Sequence, residues 1–335
     1  MTSPQNAMMT RQANTERDAV AWAQFWEDEG SDAHVVNSEA DAQALRAVWR
    51  PFLEGGLSSG GRCRILDVAC GNAVVAEQAV SIAAEHGGAQ HAICCDYSEA
   101  AVRAAVRRLD GASVSGIVAD AARLPVPDQS LDIVVSQYGV EYAGATAFAE
   151  LARVVAPGGA VQAIVHRVGG VIDRRCQDDE ALLLATLDSG VFKSFMTLLK
   201  IRHKAAQAGL EPAAAKPASA RFARSVERVE TARDAAGLGA ARSHVARLLT
   251  DLGRVATNPL AYRLDEMEQW VEGQRHALRG FANRMQSMSR AARDEGQVAI
   301  LADFFREGGL SGVSVASFDP AHHRLSAGWI LRGHR

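Results

Sequence analysis

The segment Arg64-Ile65-Leu66-Asp67-Val68-Ala69-Cys70-Gly71-Asn72-Ala73 constrains what this chain can fold into more than any other. A short apolar run ends in an acid, and a turn of small residues then opens onto a helical pattern. A buried strand feeding a tight turn and a helix is the first half of a parallel βαβ unit, and the N–H groups at such a helix start suit the anionic end of a ligand. Two acidic echoes follow: Asp96 closes the run at 91–95, 25 positions after Gly71, and Asp120 closes the run at 114–119. Acids at the ends of successive parallel strands converge on one edge of a sheet, where such folds bind nucleotides.

The alternation extends beyond this unit. Apolar runs at 64–69, 91–95, 114–119, 131–137 and 160–166 are separated by helical patterns at 73–85, 98–109 and 145–155, the last stopping at Pro157-Gly158-Gly159. This order predicts a parallel sheet covered on both faces. From 169 to 297 the strand pattern disappears into a sequence rich in Ala, Leu, Arg and Glu. Its clearest period is a heptad run through Leu264, Met267, Val271, Gln274, Leu278, Phe281, Met285, Met288 and Ala292. Leu238, Ala241, Val245, Leu248, Leu252 and Val255 precede it, with Asn258-Pro259 between, which predicts an antiparallel helical hairpin. A helix at 300–308 and strands at 313–318 and 328–332 bring the sheet to seven strands. The expected organisation is N-terminal lid helices over 1–61, an α/β core from 62–168 and 297–335, and an α-helical insertion over 169–296 before the last two strands. The insertion serves as a substrate cap, a dimerisation element, or both. Residues 1–16 are polar and suit a frayed end, whereas Trp22, Phe25 and Trp26 suit an aromatic lid or plain core packing.

Composition narrows the function. At 335 residues and 48% hydrophobic, the chain can bury a core for at most two domains. A formal charge of −3 gives no electrostatic footprint for nucleic acid, and 20 Lys and Arg against 16 Asp and Glu over 169–297 mostly solvate helix faces. No basic leader with an apolar run opens the chain, and no window approaches about 18 uninterrupted apolar residues, so a cytoplasmic protein without a membrane partner is expected. Cys63, Cys70, Cys94, Cys95 and Cys176 show no CxxC spacing; reduced thiols and no metal site are expected.

On these residues the segment 62–167 resembles the class I S-adenosylmethionine-dependent methyltransferases, over about a third of the chain directly. The family's Asp-x-Gly-x-Gly-x-Gly turn is matched by Asp67-Val68-Ala69-Cys70-Gly71-Asn72-Ala73, with only the middle glycine kept. Alanine at 69 and 73 allows the same close approach provided φ stays negative. Leu124-Pro125-Val126-Pro127-Asp128-Gln129-Ser130-Leu131-Asp132 is similar to the family's loop into the fourth strand, and Arg153-Val154-Val155-Ala156-Pro157-Gly158-Gly159 to its turn before the fifth. The resemblance implies a Rossmann-like fold with S-adenosyl-L-methionine as cofactor. It places the turn N–H groups of Ala69, Cys70 and Gly71 on the methionine carboxylate, with Asp67 organising the amino end. It further implies Asp96 on the ribose hydroxyls, Tyr97 against the adenine, Asp120 with Ala121 at the adenine amino group, and Gln137 at the crevice. Taken singly, Asp96 and Asp120 would also serve as plain helix caps.

The fourth strand ends Ser136-Gln137-Tyr138-Gly139-Val140-Glu141-Tyr142, without the Asn/Asp-Pro-Pro-aromatic signature of enzymes that methylate exocyclic amines. Tyr138, Glu141 and His166 are the candidate catalytic residues. An imidazole with an unperturbed pKa near 6.5 can take a proton from an acceptor, though a packed histidine is the commoner use, and transfer from a sulfonium can proceed by alignment and desolvation alone. The expected function is methyl transfer to a small-molecule acceptor bound between the sheet edge and the helical cap. An RNA or protein methyltransferase lacks a basic tail or aromatic patch to support it, and a non-catalytic protein dimerising through its insertion is the third reading. A nicotinamide enzyme would need a small residue where Val74 stands.

Overall fold

The computed structural model describes residues 22, 25, 26, 38–57, 62–209, 215–237 and 239–335. The segment 1–16 and Leu238 lie outside the described residues. The chain divides into two units, residues 1–173 with 287–335, and residues 174–286.

The first unit is built on seven strands: β1 (Arg62–Val68), β2 (Ala89–Asp96), β3 (Val114–Val118), β4 (Leu131–Gln137), β5 (Val155–Val165), β6 (Ser311–Phe318) and β7 (Gly328–His334). Their order in the sheet is β3-β2-β1-β4-β5-β7-β6. The first five pair in parallel, whereas β7 runs antiparallel to both β5 and β6. The expected mostly parallel, seven-stranded Rossmann-like sheet is therefore present. Successive parallel strands run outward from β1 to β3, and the chain then returns to place β4 on the other side of β1, so a crevice opens past the carboxyl ends of β1 and β4.

Side-chain alternation divides the core between two layers. Ile65, Ile133, Val135 and Ile164 face α1 (Glu39–Leu57) and α2 (Val74–Glu85), packing on Trp49, Leu53 and Ile82. Leu66, Val134, Val161 and Val165 face α4 (Ala145–Val154) and α10 (Glu295–Glu307), packing on Phe148, Leu151 and Phe305. Helix α3 (Glu99–Arg108) packs Ala105 near Ala92 and Cys94 of β2. Neighbours in sequence thus go to opposite faces and both faces are covered, which is why these strands read as continuous apolar runs. One boundary differs from expectation. β5 begins at Val155 rather than after Gly159, because the strand carries Pro157-Gly158-Gly159 as an irregularity between its pairings at Leu131 and Ile133.

The second unit is helical, formed by most of α5 (Val171–Asp188), α6 (Val191–Gln207), α7 (Lys216–Ala235), α8 (Ala240–Thr257) and most of α9 (Leu264–Ala291). Leu183, Phe195, Val229, Val245, Leu252 and Leu278 are buried in one core. The heptad positions of α9 do turn inward, Val271, Leu278 and Met288 being buried while Glu268, Glu272 and Arg275 are exposed. His244, early in α8, meets Phe281, late in α9, edge-on at 6.1 Å between ring centroids, the contact an antiparallel pair makes. The stretch Val171–Gln207 is long and apolar enough by composition to cross a membrane, and its Leu182, Leu183, Phe195, Leu198 and Leu199 are buried in this core.

Candidate functional site

The turn after β1 is more strained than its sequence suggests. Ala69, Gly71 and Ala73 take φ of 53°, 51° and 61°, so both alanines occupy the left-handed region that the sequence reading required them to avoid. Each costs about 1 kcal/mol relative to glycine there. The hydrogen bonds that hold the turn come from β2: the Cys70 N–H donates to the Cys95 carbonyl at 3.0 Å, and the Gly71 N–H to Asp96 Oδ2 at 3.0 Å. These two N–H groups, expected to face a ligand, are thus engaged within the protein. Gly71 lies beneath the Trp26 ring, where a Cβ would come within 2.7 Å of that ring, so the position has room for no side chain.

The three acids do converge, each in a different setting. Asp67 is 1% exposed, and its Oδ2 accepts the Ala76 N–H of α2 at 3.1 Å. Burial pushes its carboxyl up to about 7; the Ala76 bond opposes the rise and the Asp96 charge adds to it. Asp96 accepts from two main-chain groups, Gly71 N–H on Oδ2 and Ser98 N–H on Oδ1 at 2.9 Å, which fixes the plane of the carboxylate at the β2 end. Its carboxyl is also held above the usual range by burial. Asp120 accepts the Ala122 N–H at 2.9 Å. All three border one cavity of about 1030 Å³, together with Ala69, Cys70, Gly71, Tyr97, Ala121 and Gln137. Every residue expected at the cofactor site therefore lies on this wall. Tyr97 is 64% exposed, a flat apolar ring at the opening.

The remaining lining includes the aromatic Trp22, Trp26, Trp49, Tyr138 and Tyr142 beside the charged Glu39, Arg46, Arg50, Glu77, Glu85 and Arg108. Trp22 and Trp26 border the cavity, and Trp22 stacks edge-on against Tyr142 at 5.6 Å. The Trp22 indole Nε1–H is buried without a hydrogen-bond partner among the described residues. Helix α1 supplies another wall through Ala42, Leu45, Arg46, Trp49 and Arg50, and the Trp49 Nε1–H donates to Gln137 Oε1 at 2.6 Å, holding that amide at the β4 end. Lid helices were expected over 1–61, but these α1 residues could not be singled out, since nothing in an amphipathic pattern distinguishes a cavity wall from a core face.

The candidate catalytic residues form a second, deeper group. Tyr138 borders the cavity at a φ of 53°, a strained setting for a bulky residue, and its hydroxyl donates to the Ala327 carbonyl at 3.2 Å. His166 is fully buried; its Nδ1 lies 2.6 Å from Glu141 Oε1, which also accepts the His166 main-chain N–H at 3.0 Å. The rings of Tyr138 and Tyr142 pack on His166 at 4.6 and 5.8 Å. Neither His166 nor Glu141 borders the cavity, which the two tyrosines do. His166 Nε2 and Glu141 Oε2 have no partner among the described residues.

The five cysteines are buried and form no disulfide, and burial pushes the Cys63 thiol up to about 11 and the Cys95 thiol to about 12, well outside the range of a neutral-pH nucleophile.

Residues 65–159 match a protein family described as a methyltransferase domain. The demethylmenaquinone methyltransferase of Corynebacterium glutamicum is 28% identical over 149 residues, which is 44% of this chain and 60% of that protein. The chain thus spans less than two thirds of the curated relatives it matches. Among solved structures, an S-adenosylmethionine-dependent methyltransferase from Mesorhizobium loti is 24% identical over 35% of this chain and 53% of that one, with a TM-score of 0.30. A protein from Pyrococcus horikoshii OT3 is 21% identical over 43% and 66%, with a TM-score of 0.33. By its family match and its ordered strand-end motifs, the segment 65–159 is a methyltransferase domain of the S-adenosylmethionine-dependent kind, with S-adenosyl-L-methionine as its cofactor.

The residues present fit that cofactor. A rigid carboxylate at Asp96 suits a vicinal diol, a buried carboxyl at Asp67 suits an ammonium group, and Tyr97 offers a face for a purine.

Proposed function

We propose that this chain transfers a methyl group from S-adenosyl-L-methionine to a small, largely apolar acceptor bound in the same cavity. The observation that carries the reading is the Asp96 carboxylate, held by Gly71 and Ser98 at a cavity large enough for a cofactor and a second small molecule together. When bound, the cofactor supplies an activated methyl on a sulfonium. The protein's part is to hold donor and acceptor in line and to keep water out. Asp96 would accept from the ribose hydroxyls, Asp67 from the amino group and Asp120 from the adenine amine. Trp22, Trp26, Trp49 and Tyr138 would exclude water around the acceptor, and the Trp22 Nε1–H is the donor available to a polar atom on it. The C. glutamicum relative is named for a small-molecule acceptor, which agrees with this lining.

His166 and Glu141 act here as positioning residues. Their bond lies behind Tyr138 and Tyr142, so it sets where those rings stand against the acceptor. Calorimetric titration with S-adenosylhomocysteine is expected to detect binding that Asp96→Ala weakens by about 100-fold, the worth of two or more hydrogen bonds to a charged group. Unchanged binding in that variant would remove the ribose assignment. Isotope-labelled S-adenosylmethionine, offered with pooled small-molecule extract, bulk RNA or bulk protein, should label only the first; label in RNA or protein sinks the acceptor class.

A further inference from the structure

Outside the cavity lining, one cluster brings together three metal-ligating side chains that local sequence patterns would not associate. Asp41 lies in the first turn of α1, and His322 and His323 lie 281 and 282 residues away, in the loop from β6 to β7. Both imidazoles turn their Nε2 toward the same atom, Asp41 Oδ1, at 2.8 Å for His322 and 2.5 Å for His323. The three ligand atoms all lie within 4.8 Å of one another.

We propose that Asp41, His322 and His323 form a binding site for a divalent first-row transition-metal ion of the zinc type, which pins the start of α1 to the β6–β7 loop.

Four observations carry this. First, adjacent residues seldom present their side chains to one point, and here a turn makes them do so: the His323 N–H donates to the Pro320 carbonyl at 2.9 Å, and the two rings stand 4.2 Å apart between centroids. Second, Asp41 is already oriented. Ser38 Oγ donates to its Oδ2 at 2.8 Å and accepts its main-chain N–H at 3.1 Å, an arrangement that steers Oδ1 toward the imidazoles and suits a monodentate ligand supported from behind. Third, two imidazoles and one carboxylate are the donors that zinc, cobalt and nickel select, whereas magnesium and calcium take oxygen. Fourth, the exposure is graded: the side chains of Asp41 and His323 are each 13% exposed and that of His322 is 34% exposed, so three protein ligands face inward and one side stays open to water or a further ligand.

Donors about 2.0–2.1 Å from a common ion stand roughly 3.0–3.5 Å from each other, so the present oxygen–nitrogen separations must widen by several tenths of an ångström. The loop that carries the histidines lies outside the strands, between Phe318 and Gly328, and can supply that movement. Binding displaces the hydrogens now shared with Oδ1; each imidazole presents its Nε2 lone pair to the ion and keeps its proton on Nδ1. The neighbouring residues Ser38, Glu39 and Ala42 border the cavity, so the ion would stiffen the wall that α1 contributes without touching the cofactor residues.

The test uses the full chain without an affinity tag, stripped with chelator and titrated with Co²⁺. A ligand-field absorption band saturating at one ion per chain, abolished by Zn²⁺ and unaffected by excess Mg²⁺, is expected, with a rise in Tm on adding Zn²⁺. His322→Ala with His323→Ala should weaken Co²⁺ binding at least about 30-fold and remove the Tm rise, and Asp41→Asn, which keeps an acceptor for Ser38, should do the same. Circular dichroism and S-adenosylhomocysteine affinity of the variants, both unchanged, would separate lost ligands from a lost fold. Absence of a stoichiometric band in the wild type, equal Co²⁺ affinity in the double histidine variant, or displacement by Mg²⁺ would each overturn the proposal.

Discussion

Backbone conformation at single residues sets the cofactor turn apart from its family pattern. With Ala69 left-handed, its methyl projects toward Gly139, where a Cβ would lie 2.5 Å from that methyl and 3.0 Å from the Ala69 carbonyl oxygen. Gly139→Ala is therefore expected to cost about 1–3 kcal/mol, and Ala69→Gly to restore most of it by removing both the methyl and its strain. A double-mutant cycle by chemical denaturation checks the pair; additive effects would mean the two positions do not meet. Asp67 makes a second residue-scale prediction. Its folded carboxyl stays protonated up to about pH 7, while the unfolded one titrates near 4. Between those values the native state holds the extra proton, so this group's stabilisation is present at low pH and falls as pH rises. Asp67→Asn does not titrate; its Tm should gain on the wild type between pH 5 and pH 8, by the equivalent of a few kcal/mol. A difference independent of pH would show that the buried group is already ionised. The three acids were legible because each follows an apolar run, a local pattern. The left-handed alanines were not, since φ there is fixed by the approach of β2 and β4, which no local window contains.

Among elements, the loop into β4 is held by a residue whose importance the motif alone conceals. Arg153, at the end of α4, donates to the carbonyls of Leu124 and Val126 at 3.0 and 2.8 Å and pairs with Asp128 at 2.6 Å and Glu150 at 2.7 Å. A planar guanidinium with five donors can serve all four partners, whereas an ammonium cannot. Arg153→Lys is thus expected to lose about 2–4 kcal/mol in urea unfolding despite keeping its charge, with hydrogen exchange rising first in residues 124–130. A loss under about 0.5 kcal/mol would make the pair a surface contact of little worth. The sequence marked both 124–132 and 153–159 as related motifs, and this guanidinium is the physical link between them. The strand through Pro157-Gly158-Gly159 was missed for the opposite reason: residues that usually break a strand are here accommodated as an irregularity, with the Gly158 N–H on the Arg335 carbonyl at 2.9 Å.

For the molecule as a whole, two separate cores mean two stabilities. Leu53 and Phe305 are fully buried in the sheet unit, and Leu278 is fully buried in the helical unit. Differential scanning calorimetry with S-adenosylhomocysteine should raise the transition that Leu53→Ala lowers and leave unshifted the one that Leu278→Ala lowers, each substitution costing about 2–5 kcal/mol. One common transition moving as a block would mean the units unfold together. The order of the sheet also bears on how the protein is made. β7 lies between β5 and β6, so β5 remains an unpaired apolar edge until residues 328–334 have left the ribosome, more than 150 positions after β5 itself. During that interval the nascent chain presents Val161, Ala163, Ile164 and Val165 on an open strand, a surface that templates aggregation. The strands β1 to β4, whose ends border the cavity or lie beside it, are complete well before then, so occupancy of the crevice by the cofactor during synthesis would steady the half-finished sheet while its last two strands are still to come.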